Sequence, residues 1–187
     1  MNTVRHCCLA FVAVALAATA GCARMDVYMK STADFSKIRR VAVLPFTPPP
    51  EVDKERVQGI SEGVSDIVAT QLLRNGWDVV ERARVKTIFE ERNLALSEMP
   101  SGRRLEEVRT LLGVDCFVTG AVTEWRDFVA FRNDGAVGIT IKFYDAQTAE
   151  LIYSGSGSRP IGLFDDKSQS LHAQYLVKDL CAKIPRR

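Results

Sequence analysis

Apolar residues change their spacing several times along this chain, and each change marks an element. Val41-Ala42-Val43-Leu44 is continuously apolar between Arg39-Arg40 and Pro45-Phe46, the pattern of a strand covered on both faces of a sheet. TPPPEVDKE follows, and its prolines prevent regular hydrogen bonding. From Gln58 to Asn75 the period becomes helical: Ile60, Val64, Ile67, Val68 and Leu72 share a face, and Asn75-Gly76 supplies the stop. Trp77 to Val80 is short and β-prone. A second helix then aligns Val85, Ile88 and Phe89, and a third, Arg103 to Leu112, aligns Leu105, Val108, Leu111 and Leu112 before Gly113. Val114 to Thr123 is another buried strand, in which Gly120 marks a bulge or a close backbone approach.

Alternation at period two returns in Val137 to Asp145, and Leu151 to Ser158 follows the turn AQTAE, so the two form an antiparallel hairpin. Ser168 to Lys183 is a closing helix with Leu171, Tyr175, Leu176 and Leu180 toward the core. The order of elements predicts an α/β fold, a single mixed-sheet layer domain with covering helices over residues 38–184.

The N-terminal pattern belongs to no such element. Arg5 precedes an apolar run from Cys7 to Ala18, and Thr19-Ala20-Gly21-Cys22 ends it in the small-small-Cys form of a bacterial lipobox. The run is shorter than the ~20 residues of a membrane span. Residues 1–21 are expected to be a lipoprotein signal peptide and Cys22 the acylated residue, with ordinary cleavage near Ala18-Thr19-Ala20 or a retained anchor as the alternatives; Thr19 stands where such sites usually carry Leu. Ala23, rather than Asp, follows the cysteine, which favours the outer membrane under the common sorting rule, with the domain facing the periplasm. Residues 22–37 have no sustained period and read as a lipidated tether, reaching about 50 Å if extended and shorter if Val27, Tyr28, Met29 and Phe35 fold against the domain.

Charge adds mainly exclusions. Lys and Arg total 25 against 23 Asp and Glu, a net charge of +2, which gives no footprint for nucleic acid. Beyond the leader the chain keeps only His172, and it has no metal-ligand spacing and no phosphate loop; no metal, cofactor or catalytic residue is expected. GSGSR at 155–159 reads as a strand end and turn. Gly59-Ile60-Ser61-Glu62-Gly63 matches the G-x-S-x-G spacing, with His172 downstream. That motif needs a preceding strand, whereas this stretch lies in a helix whose Gly63 would permit close packing. Cys116 and Cys181 either form a disulfide, which a periplasmic location permits, or fill buried positions singly. Trp125, Phe128 and Phe131 among charged residues, and Phe164 in GLFDD, are candidate protein contacts, with Arg126 and Arg132 beside them.

VAVLPF at 41–46, GISEGVSDIVATQLLRNG at 59–76, WDVVERARVKTIFEERNL at 77–94 and LLGVDCFVTGAVTEW at 111–125 together resemble the curli production assembly and transport lipoprotein family, over about 85 residues in the same order. The resemblance implies that family's periplasmic α/β core. The best-known members assemble as rings in the outer membrane through amphipathic hairpins, but the stretches around 125–138 and 155–164 are too short for pairs of membrane strands at about 9–11 residues each. The chain therefore reads as a short member lacking the membrane hairpins. The expected role is a non-enzymatic outer-membrane lipoprotein, an assembly or accessory factor for the envelope or surface structures. Alternatives are a subunit of a curli-like secretion complex, or a peptidoglycan-associated binding module or synthase activator. Expected partners are the bilayer through acylated Cys22, other envelope proteins and further copies of the chain.

Overall fold

A computed structural model of the protein describes residues 24–49, 54–95, 99–127, 135–162, 165 and 167–185, with only the backbone described at 54–57. In chain order these residues form β1 (Arg24–Met29), a 3-10 turn (Phe35–Lys37), β2 (Arg40–Val43), α1 (Lys54–Arg74), β3 (Asp78–Val80), α2 (Arg82–Glu91) and α3 (Gly102–Leu112). β4 (Cys116–Arg126), β5 (Ala136–Asp145), β6 (Leu151–Pro160) and α4 (Gln169–Cys181) complete them. The strands make one mixed sheet in the order β1-β6-β5-β4-β2-β3. β2 runs parallel to β3 and β4, while β4, β5, β6 and β1 are successively antiparallel.

β2 explains its own sequence. Val41 and Val43 face a core closed by Val64, Val68 and Leu72 of α1, while Ala42 and Leu44 face a second core closed by Val85 and Phe89 of α2 and Leu105 and Val108 of α3. A strand sandwiched between helix layers has no solvent side, so every position is apolar. Past its last paired residue the chain stays extended: the Leu44 N–H donates to the Val118 carbonyl at 2.8 Å and Thr47 bridges to Ala121. Gly120 is a close approach rather than a bulge, since a β-carbon there would strike the Phe46 ring and the Thr140 carbonyl; the register shift lies beyond it, between Val122 and Glu124.

α4 covers β5 and β6 with Leu176 and Leu180, as its sequence suggested, but not with Tyr175. His172, Ala173, Leu176, Val177 and Leu180 are buried, whereas Tyr175 is 38% exposed and carries the Arg159 guanidinium over its ring at 5.2 Å. Leu111 of α3 is likewise exposed. GSGSR is strand throughout, and its glycines let elements close: a β-carbon at Gly157 would press on Leu176 of α4. Phe143 stacks edge-on against Trp77 and Tyr153, and the buried Tyr153 hydroxyl donates to the Leu180 carbonyl at 2.7 Å.

The tether reading is corrected for residues 24–37. Arg24 to Met29 pairs residue for residue with Ser158 to Tyr153 as the edge strand of the sheet. The Lys30 N–H continues the ladder to Ile152, and Phe35 is buried in the main core beside Ile38. RMDVYM alternates as an edge strand does, with Met25 and Val27 packed inward and Tyr28 54% exposed, but six residues with charged outward positions give too weak a period to be recognised without their partner.

Candidate functional site

At the end of the sheet where the chain enters, the register sets four residues in one row across four strands. Arg24 pairs with Ser158, Ser158 with Gly138, and Gly138 with Glu124. Gly138 has no side chain, so Glu124 passes over it and its Oε2 accepts the Ser158 hydroxyl at 2.7 Å; a β-carbon at Gly138 would press on Glu124 and on Thr123 Oγ1. Arg126 lies 3.9 Å from the other Glu124 oxygen. The bulge next to Glu124 re-aims the end of β4, and Trp125 packs half-buried against the main core. There it borders a hollow of about 280 Å³ with Gly59, Ile60, Gly63 and Ser170. Nothing lies within 4 Å of a β-carbon built at Gly59 or Gly63, so these glycines leave space beside Trp125 rather than permit close packing.

The start of α4 adds a buried titratable group at the same end. Ser168 caps the helix, its hydroxyl accepting from the Leu171 N–H. His172 is 2% exposed, with Nε2 at 3.1 Å from Asp165 Oδ2, yet neither ring nitrogen has a hydrogen-bond partner of good geometry. Burial holds its pKa below the ordinary 6.5 against the opposing pull of Asp165, and Arg159 and Lys167 push the same way as burial. The Asp165 carboxyl is held below its usual value, mainly by Lys167.

Gly59 to Gly63 lies inside α1, not at a strand-to-helix turn. Ser61 Oγ is buried without a partner, and since both His172 nitrogens also lack one, no hydrogen bond joins a serine to a histidine as nucleophilic catalysis would need. Among the described residues no group of three or more His, Cys, Asp or Glu could hold a metal ion, and no helix is long and apolar enough to cross a membrane. Cys116 and Cys181 are both free and buried. Burial pushes the Cys116 thiol well above its ordinary pKa and that of Cys181 up to about 12.

Of the contact residues read from sequence, Trp125 and Arg126 stand on β4 rather than in a loop. Phe128, Phe131, Arg132 and Phe164 lie outside the described residues, as does Cys22. The sequence reading missed Arg24, Glu124, Ser158 and Arg159. Their convergence depends on a register spanning more than a hundred residues, and the nearest local signal was the glycine at 138 between Val137 and Ile139.

A family model described as curli production assembly/transport component CsgG matches residues 29–159. Among solved structures, the chain is similar to a PelC dodecamer from Paraburkholderia phytofirmans, at 18% identity and a TM-score of 0.59 over 89% of this chain and 99% of that one. It is similar to lipoprotein GNA1162 from Neisseria meningitidis at 19% identity and a TM-score of 0.53, over 78% of this chain and 99% of that one. The hypothetical protein CT253 from Chlamydia trachomatis gives 18% identity and 0.51, over 78% and 95%. No curated protein matches.

Proposed function

Because the chain belongs to the curli production assembly/transport component CsgG family, we propose that it is a non-enzymatic outer-membrane lipoprotein, acylated at Cys22, that holds an interaction domain in the periplasm for assembly of the envelope or its surface structures. The observation that carries this reading is that β1 begins at Arg24, two residues after Cys22. Two residues span about 7 Å, so an acyl anchor on Cys22 leaves no slack. The sheet end bearing Arg24, Ser158 and Arg126 would rest against the bilayer, with β4 about 14 Å across from β1 at three strand spacings. Two or more acyl chains make such an attachment stable, and Trp125 and Arg126 are of the types enriched at membrane interfaces.

Homo-oligomerisation belongs to the same proposal, supported by the family and by the dodecameric PelC relative. The secretion-pore reading is disfavoured by chain length: residues 127–135 join β4 to β5, and a membrane hairpin takes about 20 residues.

Two measurements test it. Mass spectrometry of the N-terminal peptide from purified membranes should find a diacylglyceryl modification on Cys22, lost together with membrane association in Cys22→Ala. In vesicles with brominated lipid, quenching should fall on Trp125 and spare Trp77, whose ring lies against Phe143, six residues along β5 from the Trp125 partner Val137 and so about 20 Å away. An unmodified, freely soluble protein, or equal quenching of both tryptophans, would sink the reading.

A further inference from the structure

Beside the hollow at Trp125, the same end of the sheet holds a larger cavity. It opens at the carboxyl end of β2, encloses about 610 Å³, and is floored by Val43, Pro45, Phe46, Pro48 and Val85. The topology makes it. The crossover from β2 to β3 passes through α1 on one face of the sheet, and the return from β3 to β4 passes through α2 and α3 on the other. The two connections part at the end of β2, and in open α/β sheets that crevice is where ligands bind.

Its polar groups form a surplus of donors. Ser61 is 7% exposed, lines the cavity, and its Oγ has no hydrogen-bond partner, a state that buried hydroxyls rarely occupy. Its neighbour Ser65 shows the contrast, accepting the Phe46 N–H at 3.1 Å and donating to the Ser61 carbonyl at 2.8 Å. α2 presents its N-terminus to the same space through Arg82 and Ala83, and Glu81 at its N-cap makes no side-chain capping bond, so the first-turn N–H groups are not capped by that side chain. Arg82 and Lys86 add two cations. The carboxylate on the described wall, Glu62, already accepts from Gln58 at 2.9 Å and pairs with Arg82 at 3.5 Å; Arg82 also pairs with Asp66 at 3.3 Å, and Lys86 with Glu90 at 3.8 Å. These pairs are exposed and contribute little, so an incoming anion can displace them.

A second cavity, of about 340 Å³ between Lys30 and Asp145, makes the opposite case. Lys30 holds Glu150 at 2.6 Å, Asp115 accepts the N–H groups of Arg39 and Arg40, and Asp145 accepts those of Gln147 and Thr148. Its acids are spent on the fold.

We infer that the crevice at the end of β2 binds a small amphipathic carboxylate, with an apolar body on Phe46, Pro45 and Val85 and carboxylate oxygens that accept from the first turn of α2 beside Arg82 and from the Ser61 hydroxyl, which turns from its buried position toward them. The volume lies within the usual range for small-molecule sites, and an anion at a helix N-terminus follows the general rule.

The test uses the protein isolated from membranes of cells making the full chain, held in lipid nanodiscs, with 3-phenylpropionate as probe and 3-phenylpropanol and acetate as controls. Amide resonances of Phe46, Ser61, Ala83 and Val85 should shift saturably with 3-phenylpropionate. Arg82→Gln and Ser61→Ala should each weaken binding about tenfold, the scale of a hydrogen bond to a charged group. Ser61→Ala should at the same time keep or raise thermal stability, because it deletes an orphaned hydroxyl; this separates loss of the site from loss of the fold. Three results overturn the inference: no saturable shift, equal binding of the alcohol and the acid, or full affinity in both variants. None of them bears on acylation of Cys22, which is read independently.

Discussion

Whether residues 24–29 are a tether or a strand is decided by one pair of cysteines. Tyr28 and Ser154 stand directly opposite in the antiparallel ladder between β1 and β6, where Cα atoms are about 4.5–5.5 Å apart, within the range a disulfide needs. Tyr28→Cys with Ser154→Cys should therefore close spontaneously in an oxidising compartment. Tyr28→Cys with Ser156→Cys, displaced by one ladder step along the same face, should close slowly or not at all. The native thiols should stay out of the reaction, because both are buried and the Cys181 pKa is pushed up to about 12, and the thiolate is the attacking species. Tyr28 is more than half exposed, so its loss costs little. The closed loop spans about 125 residues, for which chain entropy sets a ceiling of about 5 kcal/mol and experience gives about 2–4. For a domain of this size that corresponds to a rise in Tm of about 6–12 °C between reduced and oxidised forms. The assay is mobility on a non-reducing gel followed by thermal unfolding with and without reductant. Equal closure of both pairs, or closure without any stabilisation, would mean that residues 24–29 are not fixed in this register.

Other consequences follow from the interior. Gly120→Val should destabilise the fold by about 3 kcal/mol or more, since even a β-carbon meets the Phe46 ring and the Thr140 carbonyl and overpacking a filled site has that scale; urea denaturation measures it. Tyr153→Phe removes the 2.7 Å bond to the Leu180 carbonyl, which keeps the Lys183 N–H at 3.2 Å, and should cost about 0.5–1.5 kcal/mol, the net worth of one hydrogen bond, read from the same curves. His172 gives a pH signature. Its folded pKa lies below 6.5, so the unfolded chain takes up the proton first: its contribution is present in full above pH 6.5, declines below it, and is gone below the folded pKa. His172→Leu should flatten that part of the stability curve, leaving the loss from Asp165 at still lower pH, below the ordinary carboxylate value of 3.8; an unchanged slope between pH 6.5 and 5 would refute the assignment.

The sequence by itself determined the elements whose information is local. The unbroken run at 41–44 can be stable only between two helix layers, the spacing of Val64, Val68 and Leu72 fits only one face of a helix, and Gly113 adopts the left-handed conformation, with φ of 66°, that ends α3. The order of these elements admits few topologies, so the mixed α/β layer followed from it. What tertiary structure alone decided rests on register and on which face meets which. β1 became a strand because β6 supplied its partner more than a hundred residues away. Glu124 reached Ser158 because Gly138 fell between them, and Tyr175 was turned outward because Ala173 and Val177 fitted the sheet. Ser61, one of two serines on the α1 pattern, acquired its meaning only when α1 and α2 closed over the end of β2 and left its hydroxyl without a partner. Local periodicity fixes what an element is. The cost of burying polar groups without partners, and the packing of one face against another, fix where it goes and what it leaves open.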